Sequence, residues 1–441
     1  MNPHPQAADT VIEARWVLPV EPARSVLPDH AVVINGGRIV AVLPASEARL
    51  DYRPKRHVVL GEHALIPGLI NLHTHAAMTL LRGLADDLTL MDWLNGRMWP
   101  AEMQHVSEEF VYDGARLACA EMLRGGVTCF NDMYFFPQAT ARAARGARMR
   151  AALGMIVFEF PSPYAADAQD YLNKGLALRD ELKSEPLLSY CFAPHAPYTV
   201  SDKTLRQVAT YAGELDLPVH MHLHETRREI EQSLEQHHRR PLARLAEFGL
   251  VGPALIAVHA VHLERGEIEL LARHGCHVAH CPSSNLKLAS GFAPIAALLA
   301  AGVNVGLGSD GAASNNRLDL FAEMRLAALL AKGVSEDATA LPAWQALELA
   351  TIRSARALGL DQSIGTLRPG KCADIAAVRL AGPELAPCYD PQSHLVYAAG
   401  REHVSHVWVN GELVVDNGYL TTMDTNEVLA RAAFWHDRIR S

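Results

Sequence analysis

Short apolar runs recur along the middle of the chain, near residues 66–72, 126–132, 150–157, 186–193, 218–223, 254–259, 276–280 and 303–308. Each is long enough for a buried strand, and Ala-rich or amphipathic helical stretches such as Asp113–Arg124 and Thr204–Ala212 separate them. Strand alternating with helix predicts the α/β class with a parallel sheet, and eight strands are what a closed (β/α)8 barrel of the TIM type requires. The two ends of the chain differ. They carry short alternating segments broken by Asn-Gly, as in Ala31–Val42 and His406–Gly418, which is a hairpin signal. The pattern therefore predicts a barrel over residues 66–369 and a small β-sandwich domain made from both termini, residues 1–65 and about 370–441. No internal repeat or low-complexity linker interrupts it.

Several of the apolar runs end in His, Asp or Glu. In Pro67-Gly-Leu-Ile-Asn-Leu-His-Thr-His75 the two histidines are two residues apart, and a strand alternates its side chains with period two, so both imidazoles leave one face. Similar endings occur in Pro218-Val-His-Met-His-Leu-His-Glu225, Ala254-Leu-Ile-Ala-Val-His259 and Val303-Asn-Val-Gly-Leu-Gly-Ser-Asp310. In a (β/α)8 barrel the strand C-termini build the active site, so residues far apart in sequence become neighbours. A His, His, His, Asp set with a further His and a Glu is a metal site in outline.

Composition narrows the class. With 441 residues, 49% of them hydrophobic, the chain buries a large core. A net charge of -9 without a Lys/Arg block argues against nucleic-acid binding. The first ten residues have neither a basic nor an apolar leader segment, and no apolar stretch reaches membrane-spanning length, so the expectation is a cytoplasmic protein without a membrane partner. Seven cysteines without a Cys-x-x-Cys pair fit reduced thiols. Cys276 and Cys281 stand among His274, His277 and His280, but their spacing matches no closed structural-zinc pattern.

The longer strings Pro67–His75, Met78-Thr-Leu-Leu-Arg-Gly83, His222-Leu-His-Glu225 and Asp310-Gly-Ala-Ala-Ser-Asn-Asn316 resemble the amidohydrolase superfamily and, within it, the methylthioadenosine/S-adenosylhomocysteine deaminases, over nearly the whole chain. The resemblance implies metal ligands His73, His75, His222 and Asp310, with His259 beside the reacting water, Glu225 as proton shuttle and Asp310 also handling a proton. Imidazole and carboxylate suit zinc, with iron or manganese as alternatives. One ion per subunit is implied, because many relatives bridge two metals with a carboxylated lysine after the fourth strand and residues 184–202 contain none. Strand periodicity alone leaves His220, His222 and His224 equivalent. The family's His-x-x-Glu spacing selects His222 and leaves the other two as core or supporting residues.

For the substrate, the resemblance implies His195 near the ring, Trp93 as an aromatic contact, Glu102 as acceptor from ribose hydroxyls, and Glu225. Some relatives carry an arginine after the third strand that holds the carboxylate of S-adenosylhomocysteine, and Ser162–Asp170 contains none. The implied activity is hydrolytic deamination of adenosine-type nucleosides by water, in a homo-oligomer. Deamination or hydrolysis of a free base or triazine is the alternative. A third is a catalytically dead scaffold, whose mark would be a lost ligand or glutamate.

Overall fold

The computed structural model describes residues 5–440, so the reading of the leader region falls in part, at residues 1–4, outside it. Sixteen strands form two sheets of eight. The first comes from both ends of the chain: β1 Gln6–Val17, β2 Leu27–Asn35, β3 Arg38–Pro44 and β4 Tyr52–Pro67. The second is the barrel: β5 Leu69–Thr74, β6 Val127–Asp132, β7 Arg150–Val157, β8 Leu188–Pro194, β9 Val219–Leu223, β10 Leu255–His259, β11 His277–His280 and β12 Asn304–Leu307. Strands β13 Ile375–Arg379, β14 Val404–Val409, β15 Glu412–Asp416 and β16 Tyr419–Leu420 complete the first sheet, in the order β16-β15-β14-β13-β4-β1-β2-β3.

The barrel strands follow one another in chain order and pair in parallel, and nearly every residue in them is buried on either face. At the seam the chain beyond β12 returns against β5. The Asp310 N–H donates to the His73 carbonyl at 3.0 Å, and the Asn71 amide bridges to Ser309 through bonds of 2.7 and 2.9 Å. Closing the barrel thus sets Asp310 beside His73. Among the described residues, no helix is long and apolar enough to cross a membrane.

One apolar run divides where the sequence suggested a single strand. The stretch before His73 breaks at Pro67-Gly68, so Ala64–Pro67 pairs with β13 in the terminal sheet while the barrel strand starts at Leu69. Gly68 permits the transfer because a Cβ there would lie 2.2 Å from Thr128 Oγ1. The terminal sheet then rolls over, bringing the turn between β2 and β3 onto the turn between β14 and β15. Gly37 has φ 75° and a Cβ on it would stand 2.7 Å from the Asn410 carbonyl, which restricts this contact to glycine. Ile12, Ile34, Leu65, Ile375 and Trp408 fill the interior of the roll. The last helix, Thr425–Arg440, leaves this sheet and packs on the barrel helix Glu108–Arg124, where the Trp435 indole N–H donates to Asp113 at 2.8 Å.

A buried ion pair ties the two sheets. Arg150 of β7 grips both carboxylate oxygens of Asp374 at 2.9 and 3.0 Å, and Asp374 also accepts the Asn410 N–H at 2.8 Å. Removing one partner strands a buried guanidinium, so Asp374→Ala is expected to cost about 3–5 kcal/mol of unfolding free energy. Urea titration with an unchanged slope measures it, and a loss below about 1 kcal/mol, the range of an exposed pair, contradicts the assignment.

Candidate metal centre and active-site cleft

His73, His75, His222 and Asp310 each present one ligand atom, and the four atoms lie within 4.8 Å of one another. His73 is the second-last residue of β5 and His75 directly follows that strand, His222 is the second-last residue of β9, and Asp310 follows β12. Each imidazole has its Nδ1 side committed elsewhere: His75 Nδ1 donates to the Met133 carbonyl at 2.6 Å, His222 Nδ1 to the His195 carbonyl at 2.9 Å, and His73 Nδ1 faces His220 Nε2 at 3.0 Å. The Nε2 lone pairs therefore converge. His73 and His222 bring theirs to 3.2 Å apart, and Asp310 Oδ1 lies 3.2 Å from His73 Nε2 and 3.3 Å from His75 Nε2. Neutral nitrogens and one carboxylate aimed at a common point suit a divalent metal. Burial favours that state: it pushes His73 down to about 4 and His222 well below the ordinary imidazole range. It works to raise Asp310, but His73 and His75 outweigh it and hold that carboxyl well below its usual range.

Asp310 is fixed from behind. Its Oδ2 accepts hydroxyl bonds from Ser284 at 2.6 Å and Ser314 at 2.8 Å, and its Oδ1 accepts the Gly311 N–H at 2.7 Å. Asp310 and His259 hold φ of 61° and 71°, a backbone region costly for non-glycine residues and found where packing over-determines it. His259 Nδ1 bonds Asn285 Oδ1 at 2.8 Å, which leaves its Nε2 3.8 Å from Glu225 Oε2. Glu225 is buried, which raises its carboxyl, and Glu229 accepts its backbone N–H at 2.8 Å.

His224 does not share the face of His220 and His222. The strand stops at Leu223 and His224 takes φ 55°, so its ring turns outward, where Nε2 accepts the Leu242 N–H at 3.0 Å. His220 stays on the inner face behind His73. Among the described residues no second metal-holding group occurs near Cys276 and Cys281, and His277 Nδ1 is taken by the Asn304 amide at 2.9 Å.

His75, His222 and Asp310 lie at the base of a cleft that Trp93, Glu102, His195, Glu225 and His259 also line. Glu102, on the helix Trp99–His105, accepts the Tyr134 hydroxyl at 2.7 Å, and burial pushes its carboxyl up to about 7. The Trp93 indole N–H is buried without a partner. His195 stacks on Phe158 with ring centroids 4.6 Å apart, and its Nδ1 faces the Thr199 hydroxyl at 3.0 Å. Of the residues assigned to the site from the sequence, His75, Trp93, Glu102, His195, His222, Glu225, His259 and Asp310 line this cleft and His73 stands behind it, with His220 behind His73, whereas His224 lies outside it. Not singled out were Ser284, Ser314 and Asn285, which orient Asp310 and His259, and Tyr134 and Phe158 in the wall. The aromatic run Tyr134-Phe-Phe136 directly after β6 was the available signal for the wall.

Eight parallel strands with this donor set at their C-terminal ends define a metal-dependent hydrolase on a (β/α)8 barrel. The chain belongs to the amidohydrolase family, whose pattern matches residues 64–414, and within it to the 5-methylthioadenosine/S-adenosylhomocysteine deaminase branch. It is 48% identical over 431 residues to a protein of that name from Teredinibacter turnerae, covering 98% of each chain. A second of that name, from Saccharophagus degradans, is 46% identical over 98% of this chain and 97% of the other. Among solved structures it is similar to an adenosine deaminase from Xanthomonas campestris with bound zinc, at 49% identity and a TM-score of 0.98, covering 99% of this chain and all of that one. The zinc-complexed atrazine chlorohydrolase of Arthrobacter aurescens superposes with a TM-score of 0.90 at 26% identity, covering 97% of this chain and 100% of that one.

Proposed function

We propose that the protein is a zinc-dependent hydrolytic deaminase of adenosine-type nucleosides, among them 5'-methylthioadenosine, S-adenosylhomocysteine and adenosine, forming the inosine analogue and ammonia. The observation that carries it is a single cleft holding the four converging ligand atoms, the buried acid Glu225 beside His259, and a second buried carboxylate, Glu102. His73, His75, His222 and Asp310 would hold one zinc ion, which supplies the Lewis acidity that makes water nucleophilic near neutral pH. The residues of the chain handle the protons. Glu225 delivers one to the ring nitrogen next to C6 as oxygen adds there, and its raised pKa suits a group that must carry a proton near neutrality. Asp310 takes one water proton and passes it to the amine as the C6–N bond breaks, and the second water proton leaves the C6 oxygen as its carbonyl forms and restores Glu225. His259, locked through Nδ1 to Asn285, steadies the attacking oxygen with Nε2. Trp93 and His195 bound the ring, and Glu102 accepts from the ribose hydroxyls. The same reading makes the protein a cytoplasmic homo-oligomer acting on a free small molecule rather than on nucleic acid, supported by its negative charge and the prevalence of symmetric assemblies.

Glu102 supplies the test. Only its ionised form accepts from both hydroxyls, and burial sets its pKa at about 7, so kcat/KM for ribonucleosides should rise with pH through that value and fall below it as one oxygen becomes a donor. Glu102→Gln should remove this limb and lower kcat/KM about tenfold to a hundredfold, the worth of a charge-assisted hydrogen bond. With 2',3'-dideoxyadenosine, wild type and variant should differ little. Equal losses on both substrates point to general damage, and preference for a free base or a triazine over every nucleoside replaces the nucleoside reading.

A further inference from the structure

The charged side chains that line the cleft are Glu102, Glu225 and Asp310, and all three are acidic. Its histidines belong to the metal end, with His195 standing 4.7 Å from His222 between ring centroids. No lysine or arginine lines it. Three cations lie within two residues of the lining: Arg97 and Arg227 are exposed, and Lys287 is held by Asp86 at 2.6 Å and by Asn316.

Facing the metal end is an apolar wall. The helix Leu90–Trp93 runs into a π turn, Leu94–Met98, before the helix that carries Glu102. The wider turn shifts the register, so Trp93, Leu94, Met98 and Trp99 all reach the cleft, where they meet Phe158. Phe160, 38% exposed, continues this wall to the rim, with ring centroids 4.8 Å from Phe158 and 6.0 Å from Trp99.

We infer that the cleft selects adenosine derivatives whose 5' substituent is uncharged and apolar, and discriminates against those carrying a carboxylate or phosphate there. The inference rests on the deaminase reading above. With the adenine amine at the ligands and the ribose hydroxyls at Glu102, the 5' arm leaves the ribose away from the ligands and meets the wall built by the same segment as Glu102. A methylthio group would lie against rings and a thioether and brings no charge of its own to be left unpaired. An amino-acid or phosphate arm brings an anion to an apolar wall without a lysine or arginine, next to the Glu102 carboxylate, so it must stay hydrated at the rim or lose its water uncompensated. Of the two nucleosides in the name of the branch, 5'-methylthioadenosine is the better fit.

The experiment is a kcat/KM panel on the metal-loaded enzyme with 5'-methylthioadenosine, 5'-propylthioadenosine, adenosine, S-adenosylhomocysteine and adenosine 5'-monophosphate. The two alkylthio nucleosides should lead, S-adenosylhomocysteine should trail 5'-methylthioadenosine by about a hundredfold, and the monophosphate should be poorest. Phe160→Arg, a change at the rim, should raise the S-adenosylhomocysteine to methylthioadenosine ratio about tenfold. An active enzyme that takes S-adenosylhomocysteine within about threefold of methylthioadenosine, or a ratio unmoved by Phe160→Arg, overturns the inference alone. Failure to deaminate any nucleoside overturns the deaminase reading and this inference with it.

Discussion

Glu225→Gln is expected to keep its metal and lose roughly a hundredfold to ten-thousandfold in kcat, about 3–5.5 kcal/mol of barrier. The amide matches the carboxyl in size, so the packing of a side chain as buried as this one is retained. What disappears is the proton. Glu225 is the one acid in the cleft that is buried, raised by that burial and placed beside His259 without itself belonging to the converging ligand set. An interaction used only in the transition state lowers kcat and kcat/KM together, so KM should move little. Near-normal turnover by a metal-replete variant removes Glu225 from the chemistry.

His222→Ala should reduce bound metal from one ion per chain to a small fraction and abolish turnover with it. Its Nε2 lies 3.2 Å from His73 Nε2 across the shared point. His224→Ala is the control, because that ring serves the Leu242 N–H outside the site and should leave metal content intact. His220→Ala falls between the two. It removes the ring 3.0 Å from His73 Nδ1 and should weaken metal affinity about tenfold to a hundredfold while allowing full occupancy at saturating metal. Full metal content in the His222 variant, with loss in the His224 variant, reverses the assignment.

The pattern of the sequence carried the barrel because each of its strands is buried on both faces and so reads as an apolar run; it marked the polar residues that close such runs, while the choice of His222 over His220 and His224 came from the family resemblance. The division at Pro67-Gly68 was not legible, since it depends on Thr128 of another strand lying where a Cβ would go. Nor was the departure of His224: period two holds only while a strand lasts, and φ 55° at that residue ends it. Ser284 and Asn285 come from the short helix Pro282–Lys287 after β11, and only the fold carries them to Asp310 and His259, while Ser314 reaches Asp310 through the turn that follows it. Trp93 and Glu102 were placed by resemblance. The π turn between them, which aims both Met98 and Trp99 inward, has no periodic signature in the chain.

The most direct test of the account is ammonia release from 5'-methylthioadenosine by protein stripped of metal and then titrated with zinc. The account predicts no turnover by the stripped protein, activity that rises linearly to a plateau at one zinc per chain, and one ammonia for each molecule of the inosine analogue formed. Deamination that persists in the stripped protein, or a zinc-replete protein that releases no ammonia from any adenine nucleoside, contradicts it.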